Sequence, residues 1–373
     1  MTLKLDDDNT MDIINRALVD ENNMANNITL SFKPKQITKR LLSVLPTRAR
    51  DIVSCRFGLG DNPERMTLES IGKKYGITRE RVRQIENYAV SNIRKAEQFG
   101  KEKPSFDDLE KLVHKLGGIV SEEVLLNHVA KDKSTQNHTS FLLVLGDPFK
   151  REKEDDEFHH RWYVDKGLSD KVHESLRKLY KNIDDDDLIP EAEIVASFLE
   201  QVKDVSEQYK NEEIAKRWLS ISKNIGKNPL GEWGKTSSSN IRAKGVRDYA
   251  FLVIRRHGSP IHFKEVAKAI EKLFGRKAHV ATTHNELIKD KRFVLVGRGL
   301  YALTEWGYVA GVVKDVIRHV LDKNGSLTKE QIIEKVLKER YVKENTILVN
   351  LQNPKYFKRD KDGKYTAILQ LEK

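Results

Sequence analysis

Cysteine is nearly absent from this chain. A single thiol, Cys55, excludes an intrachain disulfide framework and any cysteine-based zinc cluster. Long apolar runs are missing too. Stretches such as Phe141–Leu145 are the size of a core helix or strand, well short of the ~18 residues that a membrane span needs. The opening Met-Thr-Leu-Lys, followed by Asp6-Asp7-Asp8, lacks the basic and apolar order of a secretory signal. No Walker loop, dinucleotide fingerprint or Gly-Xaa-Ser-Xaa-Gly elbow occurs. The expectation is a soluble, cytoplasmic protein that is not an enzyme, with no cofactor, metal, membrane or small-molecule substrate.

What the sequence does have is charge. Of 373 residues a third are charged, the net charge is +11, and mean hydropathy is −0.59. The excess is unevenly placed. Residues 1–30 carry −4, 31–103 carry +9, 104–170 carry −5, 171–240 carry −2, 241–310 carry +8 and 311–373 carry +5. Two basic blocks therefore flank an acidic middle. A basic block is more often a solvated face than a binding site, so charge alone points to a polyanion without proving one.

Helical periodicity dominates, with Leu41, Leu42 and Leu45 on one face and Leu109, Leu112, Val113 and Leu116 on another. A unit recurs every ~60–75 residues: a helix ending near Gly, a capped second helix, a third helix, and two short aromatic strands. One copy runs from Gly117-Gly118 and Ser121 through Leu143 and Phe149 to Trp162-Tyr163. Another runs from Gly258 and His262 through Leu287 and Phe293 to Tyr301-Ala302-Leu303. The last has Gly325, a capping box of Thr328 with Gln331, then Leu351, Phe357 and Tyr365. Residues 170–236 fit more loosely, through Pro190, Leu219, Ile225 and Trp233. The predicted fold class is mainly α, with tandem helix-turn-helix and winged-helix modules bearing small β-hairpin wings. The predicted divisions are an N-terminal helix and tail over 1–30, which includes a helix Met11–Leu18, then a helix-turn-helix domain over 31–103. Winged helices follow over 104–168, 169–240 (divergent), 241–310 and 311–373.

The sharpest local signal is Thr67-Leu-Glu-Ser-Ile-Gly-Lys-Lys-Tyr-Gly76-Ile77 followed by Thr78-Arg79-Glu80-Arg81-Val82-Arg83-Gln84-Ile85-Glu86. Thr67 caps a short helix whose inward residues are Leu68 and Ile71, and Gly76 suits the left-handed end. Thr78 caps a second helix with Val82, Ile85 and Ala89 as its apolar stripe. A recognition helix enters the major groove by its first turns, which must then carry long polar side chains. Arg79, Glu80, Arg81, Arg83 and Gln84 meet that need: Arg suits guanine, Gln adenine, and Glu the cytosine amino group. Arg48, Arg50 and Arg56 lie upstream, placed to grip phosphates. The competing reading is a solvated helix with weak Glu80–Arg83 and Glu80–Gln84 pairs.

Leu45-Pro46-Thr47-Arg48-Ala49-Arg50, Arg56-Phe57-Gly58-Leu59 and the string from Thr67 to Arg94 resemble region 4 of bacterial housekeeping-type sigma factors, over residues 36–97. That resemblance implies a module that reads the −35 promoter element of double-stranded DNA and touches the β flap of RNA polymerase. By position, Arg79, Glu80, Arg83 and Gln84 would face bases, and Arg48, Arg56, Thr67, Lys73, Thr78 and Arg81 the backbone. The ~35 residues ahead of the module are too few for the domain that melts the −10 element in that family, which argues against a complete sigma factor. Ser259-Pro260-Ile261-His262-Phe263-Lys264-Glu265-Val266-Ala267, Thr282–Leu287, Phe293 and Gly299-Leu300-Tyr301-Ala302-Leu303 resemble a HARE-type winged helix over 244–308. That resemblance implies association with DNA or polymerase.

Three functional readings follow. The first is a promoter-binding regulator of transcription initiation. The second is a delta-like accessory protein of RNA polymerase, favoured for the middle modules because acidic winged helices bind phosphate poorly. The third is a DNA-specificity protein of a restriction or defence system. Cys55 reads as a structural thiol on an apolar helix face. Asp155, Asp156, Glu157, His159 and His160 cluster at a predicted wing tip without metal-ligand spacing and read as a solvated loop, as does Asp184–Asp187.

Overall fold

A computed structural model describes residues 30–309 and 311–368; the expected helix Met11–Leu18 lies outside them. Among the described residues the secondary structure is seventeen α-helices and short strands in small antiparallel sheets, so the fold is mainly α. No helix among them is long and apolar enough to cross a membrane. The chain divides into two compact units. One holds the residues up to Ile183 together with Glu191–Gly226, and the other holds Asp184–Pro190 together with the residues from Lys227 onward.

The first unit begins with α1 (Pro34–Leu42), α2 (Thr47–Phe57), α3 (Leu68–Tyr75) and α4 (Arg79–Lys95). A short connecting piece, α5 (Glu97–Lys101), leads into α6 (Lys103–Lys115), which carries Leu109, Leu112 and Val113 inward at helical spacing. A winged helix is completed by β1 (Ile119–Ser121), α7 (Glu122–Val129), α8 (Lys133–Leu145), β2 (Lys150–Glu152) and β3 (Arg161–Tyr163). Its sheet has the order β1-β3-β2, with Val120 opposite Trp162 and Arg151 also opposite Trp162.

Ser121 caps α7 by accepting from the Val124 amide at 3.2 Å. One apolar core runs without a break from Ile37, Leu41 and Leu45 through Val53, Ala89 and Ile93 to Leu109, Phe141, Leu145 and Trp162. The four helices and the winged helix that follows them thus share a core.

The link between them is α8. Eight of its residues are buried, including Asn137, His138, Thr139 and Ser140, because the helix lies against α1, α2 and α4. Phe57 meets Phe141 edge to face with centroids 4.9 Å apart. At the far end Arg94 donates to the carbonyls of Leu145 (3.0 Å) and Val144 (2.9 Å), groups that a helix C-terminus leaves unpaired.

Next come α9 (Lys166–Asn182), α10 (Glu191–Gln201) and α11 (Glu212–Leu219), which bury Val172, Leu176, Ile194, Phe198 and Trp218. The Trp218 indole donates to the carbonyl of Gly117 at 3.1 Å. A Cβ on Gly117 would stand 2.8 Å from that indole nitrogen, so the turn before β1 has room only for glycine. The strands β4 (Ile225–Lys227) and β5 (Trp233–Lys235) follow.

In the second unit, α12 (Val246–His257), β6 (Ile261–His262), α13 (Phe263–Phe274), α14 (Val280–Lys289), β7 (Phe293–Leu295) and β8 (Leu300–Leu303) form a winged helix with sheet order β6-β8-β7. Tyr249, Leu252, Val266, Ile270, Leu287 and Tyr301 fill its core. A last module follows as α15 (Val313–Asn324), α16 (Lys329–Glu339), α17 (Glu344–Leu351), β9 (Phe357–Arg359) and β10 (Tyr365–Ala367), around Val316, Val320, Ile332, Val336, Ile347 and Phe357. The Thr328–Gln331 capping box forms as the sequence pattern requires. The two modules are stitched by the Tyr341 amide, which donates to the Val296 carbonyl at 2.8 Å.

Candidate nucleic-acid interface

The turn between α3 and α4 is built from local signals. The Thr67 hydroxyl accepts from the Ser70 amide at 3.1 Å and starts α3. Gly76 ends it at φ 66°, ψ 35°, the left-handed region that glycine enters without steric cost. The Thr78 hydroxyl then accepts from the Arg81 amide at 3.2 Å and starts α4. Gly72 matters for a different reason: a Cβ there would lie 2.6 Å from the Ile77 carbonyl oxygen, so the two helices cross at a distance only glycine allows. Beneath the turn, Ile52, Ile71 and Val82 are fully buried, with Cys55, Leu68, Ile77 and Ile85 packed against them.

With Val82 pointing inward, Arg79, Glu80, Arg81, Arg83 and Gln84 all stand exposed on the first turns of α4. Arg83 grips Glu80 through two hydrogen bonds of 2.7 and 2.9 Å, and this contact holds the Glu80 carboxyl below its usual range. Arg81 donates to the Gln84 side chain at 3.0 Å. Arg79 makes no ion pair among the described residues.

The structure brings Arg48 beside this front. Pro46, Arg48, Ile77, Arg81, Gln84 and Tyr88 line one groove of about 440 Å³ between the start of α2 and the face of α4. Tyr88 is 54% exposed and was not singled out from the sequence, although its place on α4, four residues after Gln84, puts it on the same face. Thr67 and Thr78 spend their hydroxyls on the caps. Lys73 pairs with Glu69 on α3 at 3.2 Å. Arg56 faces inward instead, donating to Glu86 (3.4 Å) and to the Met66 carbonyl (3.3 Å).

The third helices of the other modules differ from α4. α8 is spent on packing, whereas α11 buries Ile214, Ala215, Trp218 and Leu219 and carries Glu212 and Glu213 in its first turn. In the second unit α14 exposes Thr282, Asn285 and Lys289, and α17 exposes Glu344, Asn345 and Val349. In the acidic part of the first unit three arginines are paired, Arg151 with Glu122 (2.6 Å), Arg161 with Glu152 (3.0 Å) and Asp155 (3.1 Å), and Arg177 with Glu157 (2.8 Å).

The acidic cluster between β2 and β3 has structural partners. Asp155 accepts from the amides of Glu157 (2.9 Å) and Phe158 (2.7 Å) and from Arg161, while His160 accepts from the Glu154 amide at 2.8 Å. Among the described residues no three His, Cys, Asp or Glu side chains converge as metal ligands.

Comparison with known proteins agrees with this geometry. Residues 41–95 match the family described as Sigma-70, region 4. The RNA polymerase sigma factor RpoS of Coxiella burnetii is 50% identical over 56 residues, 15% of this chain and 16% of that protein. The RNA polymerase sigma factor RpoD of Helicobacter pylori is 44% identical over 61 residues, 16% of this chain and 9% of that protein. The chain therefore spans less than a fifth of the length of these curated relatives. Residues 41–95, from the end of α1 through α4, are a Sigma-70 region 4 domain.

Proposed function

We propose that this chain is a DNA-binding, sigma-like transcription factor that reads promoter DNA with the front of α4 and works with RNA polymerase. The observation that carries the reading is the exposed set Arg79, Glu80, Arg83 and Gln84, set behind a capped turn in a segment that matches region 4. These four face base edges in the major groove. Arg48, Thr67, Lys73, Thr78 and Arg81 flank them along the phosphates; Arg56 reaches a phosphate only by leaving Glu86. The basic stretch from Arg242 to Arg298, within the HARE-like module, adds phosphate affinity. The reading assigns no catalytic step to the chain.

The test is an affinity titration on a −35-like duplex at fixed salt. Arg79→Ala with Arg83→Ala should weaken binding by roughly tenfold or more and flatten the preference over scrambled duplex. Unchanged affinity would remove α4 as the reader.

A second reading, an accessory protein docked on polymerase, is favoured for the middle modules by one observation. Eight residues of α8 are buried and α11 opens on Glu212 and Glu213, so neither third helix of the acidic stretch presents a basic front to a groove. Retention of polymerase on the purified chain after nuclease treatment supports that role, with the β flap as the first surface to map; loss of polymerase with the DNA rejects it.

A further inference from the structure

The second unit contains a cleft that the α4 reading does not use. It has a volume of about 890 Å³ and lies between the Ser237–Ser239 loop, the start of α12 and the start of α14. Arg242, Lys244 and Arg247 line it, with the hydroxyl-bearing Ser237, Ser239 and Thr282 around them. All three cations are exposed. Arg242 and Lys244 make no ion pair among the described residues, and Arg247 is 3.9 Å from Asp248.

That aspartate is held from within the fold and faces only Arg247 among the three. Asp248 is 4% exposed, and it accepts from the amides of Lys244 and Gly245, both at 3.1 Å, and from Arg292 at 3.0 Å. Arg292 also binds Asp290 (2.7 Å), the Ser239 hydroxyl (3.2 Å) and the Asn240 side chain (3.2 Å). One guanidinium thus fixes the loop, the helix start and the wing against each other, and the side chains of Arg242 and Lys244 make no ion pair with that network. Glu286 on α14 is the remaining carboxylate in the lining.

We infer that this cleft binds the phosphate oxyanions of a duplex backbone. Three cations amid hydroxyl donors match a group with several acceptor oxygens and diffuse charge. The place matches as well: Thr282 and Asn285 stand exposed on α14, so a duplex that receives α14 in a groove lays its backbone over the cleft. The contact is indifferent to sequence and holds the second unit on DNA whether or not α4 has found its site. The inference rests on the chain being a DNA-binding factor, but not on α4 being the reader.

The experiment uses the full chain and a duplex without a −35-like element, titrated across a salt series. The variant is Arg242→Ala/Lys244→Ala/Arg247→Ala, compared in the wild-type background and with Arg79→Ala/Arg83→Ala. Loss of three phosphate contacts should make the slope of log K against log salt shallower by about 2–3 in both backgrounds. The control Arg242→Lys/Arg247→Lys keeps the charges and should keep the slope. A folded triple variant with the wild-type slope overturns the inference. A second arm titrates ATP: if the triple variant loses ATP binding while the duplex slope stays, the cleft takes a free phosphate and the backbone assignment falls. If only the α4 substitutions change binding to a −35-like duplex, the α4 reading stands and the cleft does not.

Discussion

The side-chain amide of Asn137 donates to the carbonyl of Pro63 at 2.7 Å, and the same nitrogen reaches the carbonyl of Gly58 at 3.1 Å. Arg65 completes the contact by donating to the Asn137 oxygen at 2.8 Å. A residue in the third helix of one module thereby closes the loop that leads from α2 to α3 in another. The helix most suited by position to enter a groove has become a clamp on the neighbouring region 4 domain.

Removing that clamp should cost stability without touching the α4 front. Asn137→Ala leaves the buried Gly58 carbonyl, the half-buried Pro63 carbonyl and the Arg65 guanidinium short of partners, a loss of about 1–3 kcal/mol. Urea unfolding of the full chain measures it. A midpoint equal to wild type would mean that the loop satisfies these groups elsewhere and that α8 does not hold it.

The two glycines of the turn should fail differently. Gly76→Ala meets open space but must hold φ 66°, which costs a residue with a Cβ about 1–2 kcal/mol and leaves the path of α4 intact. Gly72→Ala places its Cβ 2.6 Å from the Ile77 carbonyl, a backbone atom that cannot swing aside. The turn must open and α4 is re-aimed, so duplex affinity should fall by about tenfold or more. Affinity measured on both variants at one salt concentration separates them. Equal binding by Gly72→Ala and wild type would show that the crossing of the two helices tolerates the shift.

What the sequence revealed follows the range of the forces involved. The Thr67 and Thr78 caps, the left-handed Gly76 and the Val82–Ala89 stripe act within a few residues, so the helix-turn-helix was readable from its own string. The wing strands Arg161–Tyr163 and Phe293–Leu295 were readable from the short aromatic strands that close each recurring unit. The role of α8 was not. Asn137, His138, Thr139 and Ser140 are a run of four polar residues in sequence, and contact with α1 and α2 buries them. The inward turn of Arg56 and the joining of Arg48, Arg81 and Tyr88 in one groove likewise depend on tertiary packing.

The Glu80–Arg83 contact should matter to recognition and not to folding. Both side chains are exposed, and ion pairs of this kind contribute little because solvent screens them. Glu80→Ala should leave the melting temperature unchanged, release Arg83 to swing, and alter preference at one base position of the bound site. Selection from a randomised duplex pool reads this directly. An unaltered site preference would place Glu80 outside the groove.

His173 gives the first unit a dependence on pH with a definite sign. The ring is buried against Phe158, with centroids 4.4 Å apart, and its Nε2 is 3.8 Å from Glu152. Burial, and after it the nearby Arg161 guanidinium, lower its pKa from 6.5 to about 4; Arg177 and Lys166 push the same way and Glu152 opposes them. In the unfolded chain the ring takes its proton near the ordinary value, whereas the folded chain refuses it until about 4. The unfolded state therefore binds more protons across that window, and stability present above pH 6.5 declines as pH falls toward 4. The decline from this one group is on the order of 2 kcal/mol after allowance for solvent screening. His138, also held low by burial, adds a loss of the same sign. Unfolding free energy measured against pH for wild type and His173→Gln isolates the term, because the carboxylates that titrate below this range are common to both. The wild-type curve should fall more steeply between the two pKa values, and parallel curves would mean that the ring is hydrated in the folded chain.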